Sequence, residues 1–141
     1  MASPHLSIRI DPKTLERLDK TSRREGVSRS ELAKTLIEEG LRMKAHPGIV
    51  FRPGPTGRRA ALARGPDVWE MMNSFKDRGH VTDEEVEYWA RALELSTFDV
   101  HAAQGYYSEY TKEIEDRIRQ NDEAAERGYA AWLARQGVSS R

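Results

Sequence analysis

The stretch HLSIRID, residues 5–11, alternates apolar and polar side chains in the way a half-buried β-strand does. The apolar set is Leu6, Ile8 and Ile10, and the polar set on the opposite face is His5, Ser7, Arg9 and Asp11. A strand must pair its backbone N–H and C=O groups, and the following forty or so residues contain no second strand pattern. We therefore expect this strand to pair with the same segment of a second copy of the chain.

Two helices are predicted directly after the strand. Asp11 suits the N-cap of the first helix, Pro12 suits its first position, and Gly26 ends it. Ser28 and Glu31 have the spacing of a capping box that opens the second helix. A glycine within the apolar face of that helix allows two copies to cross closely. The predicted dimer core is Leu6, Ile8, Ile10, Leu32, Leu36, Ile37 and Gly40.

The segment LSIRIDPKTLERLDKTSRREGVSRSELAKTLIEEGLRM combines the alternating strand, the Asp-Pro junction and GVSRSEL at the start of the second helix. With these features, residues 5–44 resemble the ribbon-helix-helix DNA-binding family. The resemblance implies an intertwined homodimer, with a tetramer left open, whose ribbon enters the major groove of an operator with inverted repeats. It implies base contacts by His5, Ser7 and Arg9 and phosphate contacts by Val27, Ser28, Arg29 and Ser30.

A stretch rich in Gly and Pro follows the second helix and marks a change in organisation. We predict residues 1–45 to be the DNA-binding and dimerisation domain, 46–66 a basic linker or hairpin, and 67–141 a helical oligomerisation or partner-binding domain. The arginines of the middle segment either contact phosphates, remain solvated or pair with acidic residues. They are Arg52, Arg58, Arg59 and Arg64, of which Arg58 and Arg59 are the predicted phosphate contacts.

Helical patterns continue from residue 67, so the predicted fold class is mainly α with a short β-hairpin. The predicted helices run from Asp67 to Arg78, from Thr82, from Ser96 and from Thr111, with Gly128 as a predicted break in the last. Residues 46–118 also weakly resemble a helix-turn-helix-like antitoxin family, through His46-Pro47-Gly48, Gly57-Arg58-Arg59, Val68-Trp69 and YYSEYTKEI. That resemblance implies a toxin protein as a partner.

The balance of charges differs along the chain although the net charge is zero. Residues 1–80 hold 16 Lys/Arg and 10 Asp/Glu, and residues 81–141 hold 7 and 13, giving +6 and −6. Such a split is typical of a protein in which a basic half faces a polyanion and the other half is acidic. It also arises by chance in ordinary solvated helices. The chain contains no run of 18 apolar residues, so we predict no membrane span. We expect a cytoplasmic, nucleoid-associated protein.

The sequence contains few residues of the types that commonly carry catalysis or bind metals. Cysteine is absent, and the four histidines, at positions 5, 46, 80 and 101, lack the spacing of metal ligands. We expect no enzyme activity, no metal and no cofactor. The predicted function is a sequence-specific transcriptional repressor, with two alternatives: an antitoxin that regulates its own operon, and a nucleoid-structuring protein.

Overall fold

The computed structural model describes residues 3–139, and the side chains of residues 3–137. The chain divides into two compact units, residues 1–42 and 43–141. The first unit carries nine Lys/Arg and seven Asp/Glu and the second 14 and 16, so their net charges are +2 and −2. The change of charge near residue 80 therefore lies inside the second unit, not between the units.

The first unit contains the first predicted helix, α1 (Pro12–Glu25), and most of the second, α2 (Arg29–Ala45), whose last three residues belong to the second unit. Asp11 caps α1 because its carboxylate accepts the Thr14 N–H at 3.1 Å. Gly26 ends α1 in the left-handed conformation, at a φ of 70°, where a side chain would be strained. Ser28 then accepts the Glu31 N–H at 3.1 Å and opens α2. These caps confirm the boundaries predicted from the sequence.

Residues 3–11, which precede α1, belong to no helix and no strand within the single chain. The expected partner strand belongs to a second copy of the chain, and the β-ribbon stays a prediction.

The second unit contains, after the end of α2, a β-hairpin of β1 (Ile49–Arg52) and β2 (Arg59–Leu62). The strands are antiparallel, with Ile49 opposite Leu62 and Arg52 opposite Arg59. Ile49 and Leu62 are buried, which makes the hairpin a layer of the second unit's core. The short hairpin predicted within residues 46–66 is confirmed.

Four helices follow the hairpin: α3 (Val68–Asn73), α4 (Asp83–Ala92), α5 (Thr97–Glu109) and α6 (Thr111–Ser139). Thr82 with Glu85 caps α4, and Ser96 with Asp99 caps α5. Together with the first unit these elements confirm a mainly helical fold with one small sheet. Among the described residues, no helix is both long and apolar enough to cross a membrane.

Two helix boundaries differ from the prediction. α3 ends at Asn73 instead of Arg78, because the Ser74 and Phe75 N–H groups bond to the carbonyls of Met71 and Met72, three residues back. This tightening turns Phe75 into the core, where it is buried. α6 continues through Gly128 without a break. A single interior glycine costs only about 1 kcal/mol, and the alanine-rich sequence around it favours helix.

The core of the second unit lies where the hairpin, α3, α5 and α6 meet. Tyr106 of α5 is fully buried and donates its hydroxyl to Glu113 of α6 at 2.6 Å. The other buried side chains come from every element of this unit; among them are Leu62, Val68, Met71, Met72, Val86, Val100, Ile114 and Ile118. This unit therefore has an apolar core of its own.

Candidate nucleic-acid interface

The whole segment before α1, residues 3–11, is exposed to solvent in the single chain. The apolar side chains of Leu6, Ile8 and Ile10 are 72%, 66% and 40% exposed. Three large apolar side chains exposed within five residues form a patch of the kind that usually marks an interface.

The second helix of this unit adds to the open apolar surface. Leu36, Ile37 and Leu41 of α2 are 53%, 44% and 60% exposed. Among residues 3–42, Leu32 is the only apolar side chain that is buried. A unit that buries one apolar side chain cannot offset the conformational entropy of folding by itself. The geometry therefore favours an interface that covers the segment and α2 together.

The predicted base-contacting residues alternate with these apolar residues along the sequence. His5, Ser7 and Arg9 are all exposed. The Arg9 guanidinium forms no hydrogen bond or ion pair with another described residue. Its five N–H donors remain available to an acceptor outside the chain.

The start of α2 offers backbone donors to a phosphate. The N–H groups of the first helical turn have no acceptor within a helix, and the helix dipole places partial positive charge there. Ser28 satisfies the Glu31 N–H, which leaves those of Arg29 and Ser30. The Val27 N–H bonds to the Ser22 carbonyl at 3.0 Å, so this amide is not one of the donors expected from the sequence.

The Arg29 side chain binds α1 and does not project freely. Its Nε donates to Asp19 Oδ1 at 2.8 Å and its Nη2 to Asp19 Oδ2 at 3.4 Å. The pair neutralises the charge expected to attract a phosphate and fixes the start of α2 against α1.

Residues 5–42 match the family model of ribbon-helix-helix proteins of the copG family. On this match we refer to the first unit as the ribbon-helix-helix domain. The match confirms the resemblance found in the sequence, and it covers less than a third of the chain. No curated protein and no solved structure matches the chain.

The match of residues 5–42 to this family supports a general role in DNA-binding transcription regulation. Ribbon-helix-helix proteins generally bind DNA as dimers, which supports DNA and a second copy as partners. The open apolar face of the ribbon-helix-helix domain agrees with that assembly. The antitoxin-like resemblance of residues 46–118 is not tested by the match.

Outside the ribbon-helix-helix domain, the hairpin arginines form bonds within their own unit. Arg59 forms an ion pair with the buried Asp67, which also accepts the Trp69 indole N–H at 3.2 Å. The Arg52 guanidinium donates to the carbonyls of Leu62, Ala63 and Gly65 at 2.8–3.3 Å. Both side chains stabilise the hairpin, an arrangement that argues against phosphate binding by either.

Arg58 remains the more exposed of the two predicted phosphate contacts in the hairpin. It donates to the Phe51 carbonyl at 3.3 Å, and its own carbonyl accepts from Arg117 at 3.4 Å. Arg117 also donates to the Thr56 hydroxyl, so an arginine of α6 lies beside the hairpin loop. The sequence does not indicate this contact, because Arg117 is about 60 residues away and belongs to a helix whose packing is not encoded locally.

Proposed function

We propose that the protein is a sequence-specific transcriptional repressor that contacts the major groove with a two-stranded β-ribbon formed by two copies. The observation that carries the proposal is the exposure of Leu6, Ile8 and Ile10, which alternate along the sequence with the equally exposed Ser7 and Arg9. Pairing two such segments antiparallel buries the apolar side and leaves the polar side facing outwards.

Burial of the apolar side supplies the driving force for dimerisation. Each large aliphatic side chain contributes about 1.5–3 kcal/mol when it passes from solvent into a core. The pair of chains would bury two copies each of Leu6, Ile8, Leu36 and Ile37, which are 44–72% exposed in one chain. This gain is large compared with the few kcal/mol by which small domains are usually stable.

Base recognition follows from the donors on the outward face. An arginine donates two parallel hydrogen bonds to O6 and N7 of guanine, and a serine can donate to or accept from several bases. Arg9 is the one cationic side chain among the three predicted base contacts, so it would carry most of the discrimination. The Arg29 and Ser30 amides would hold a backbone phosphate and set the register of the ribbon.

The direct experiment is selection from a random double-stranded DNA library by the full chain, followed by sequencing of the bound fraction. An enriched inverted repeat is the expected result. Equal recovery of all sequences would instead indicate the nucleoid-structuring role. A reporter gene placed behind the enriched site then tests repression, which should disappear with Arg9→Ala.

A second candidate function, that of an antitoxin, is favoured by the charge of residues 81–141, which is −6. An acidic surface complements the basic active site of a nuclease-like toxin. Co-expression with a neighbouring small open reading frame tests this role. Formation of a stable complex that suppresses the toxicity of that product would support it, and free separation of the two proteins would exclude it.

A further inference from the structure

The last helix extends well beyond the core that holds its beginning. Ile114 and Ile118 of α6 are 4% exposed and pack with α3 and α5. Every residue from 119 to 137 is exposed. At 1.5 Å per residue, this outer segment of α6 is about 28 Å long.

The apolar stripe of α6 does not stop at the edge of the core. Ala125, Tyr129, Trp132 and Leu133 follow Ile118 at spacings that keep them on the same helix face. Tyr129 is 63% exposed, and Trp132 and Leu133 are each 47% exposed. The Tyr129 and Trp132 rings stack with centroids 5.9 Å apart. A helix whose apolar stripe meets water over several turns needs a second surface.

The charge of the outer segment favours a second copy of itself as that surface. Three cations, Arg119, Arg127 and Arg135, balance three anions, Asp122, Glu123 and Glu126. A neutral segment selects neither a polyanion nor a strongly basic protein. In a symmetric contact the same patch lies on both sides, and a neutral patch can face itself without repulsion.

The order of side chains favours an antiparallel arrangement. Trp132 and Ala125 both lie near the centre of the stripe, seven residues apart. A parallel pair would place Trp132 against Trp132 and Ala125 against Ala125. An antiparallel pair with its two-fold axis between residues 128 and 129 places each Trp132 opposite an Ala125, so that large meets small.

The charged side chains and the helix dipole both favour the antiparallel arrangement. Between residues 120 and 126 α6 carries only anions, and between 127 and 137 only cations. An antiparallel pair brings the acidic stretch of each helix beside the basic stretch of the other and opposes the helix dipoles. We propose that residues 119–137 of α6 pair antiparallel with the same segment of a second copy, at a contact separate from the β-ribbon.

Cysteine cross-linking tests this pairing cleanly because the chain contains no cysteine. In the full chain carrying both Ala125→Cys and Trp132→Cys, mild oxidation should yield mostly covalent dimer. Either substitution alone should yield little, since its own counterpart lies about 10 Å away along the helix, beyond disulfide reach. Glu123→Cys with Ala130→Cys, seven residues apart on the opposite face, is the matched control.

Two outcomes of the cross-linking experiment would overturn the proposal. If Ala125→Cys alone cross-links as well as the double variant, the pair is parallel. If the double variant cross-links no more than the control, the segments do not meet.

A sedimentation measurement checks the same contact without cysteines. In an Ile8→Lys chain, where ribbon pairing is blocked, α6 should still hold a dimer, and adding Trp132→Glu should leave monomers. Adding Tyr88→Glu, at a 62% exposed site on α4, should leave the dimer intact. A monomeric Ile8→Lys chain is the third contrary outcome, and it leaves the DNA-binding proposal unaffected.

Discussion

The Arg78 guanidinium donates two hydrogen bonds of 2.7 Å to the two carboxylate oxygens of Glu115, which lies 37 residues later in the chain. The Tyr107 hydroxyl donates to the same carboxylate at 2.6 Å. The pair joins the loop after α3 to the first turns of α6, and Tyr107 adds α5. Three elements of the second unit are thus held by one carboxylate.

The Glu115 contact predicts a pH dependence of stability. Hydrogen bonds from Arg78, and then from Tyr107, lower the pKa of Glu115 to about 2 from an ordinary value of 4.5. A depressed folded-state pKa stabilises the fold above pH 4.5, and this stabilisation is lost as pH falls from 4.5 towards 2. Because Glu115 is more than a third exposed, we discount the contribution to about 1–2 kcal/mol.

Glu115→Gln should remove that part of the acid sensitivity. Urea unfolding followed by tryptophan fluorescence measures it, since Trp69, Trp89 and Trp132 all lie in the second unit. Glu87→Gln, which removes an exposed carboxylate of α4, is the control. Parallel pH curves for the wild type and Glu115→Gln would contradict the prediction.

A substitution at Leu62 tests whether the hairpin is part of the core. Its side chain is fully buried in β2, so Leu62→Ala should leave a cavity and lower the free energy of unfolding by about 2–5 kcal/mol. Leu93→Ala, at a 39% exposed position after α4, should cost about 1 kcal/mol or less. Equal losses measured by chemical denaturation would mean that the hairpin lies outside the core.

Arg9 tests base recognition. Arg9→Ala should lower discrimination between the selected operator and random DNA by about 1–3 kcal/mol, because one bidentate contact is lost. Helical content should not change, since Arg9 is exposed and precedes α1. Fluorescence anisotropy with both DNAs at one fixed salt concentration measures the effect, with Arg91→Ala in α4 as the control. Unchanged discrimination would reject recognition by the ribbon.

Ile8 tests the shared core of the ribbon. Ile8→Lys places a charge where two copies are expected to bury an aliphatic side chain, so ribbon pairing and operator binding should both be lost. Ile8→Val, which keeps an apolar β-branched side chain, should retain both. Operator binding of wild-type strength by Ile8→Lys would show that the segment is oriented the other way.

Local sequence determined where most of the helices begin and where α1 ends. Asp11, Gly26, Ser28, Thr82 and Ser96 act within a few residues of their own positions, so their capping roles follow from spacing alone. The alternation at residues 5–11, together with the Asp-Pro junction and GVSRSEL, also led to the ribbon-helix-helix resemblance that the family match confirms.

Only the tertiary structure decided which charged groups are already paired. Nothing in the spacing of Arg59 and Asp67, or of Arg78 and Glu115, distinguishes a structural ion pair from a free cation that awaits a phosphate. The same is true of α6, where the identical stripe is buried at Ile118 and exposed at Trp132. Such partners are set by packing between elements distant in sequence, which a pattern of neighbouring residues does not encode.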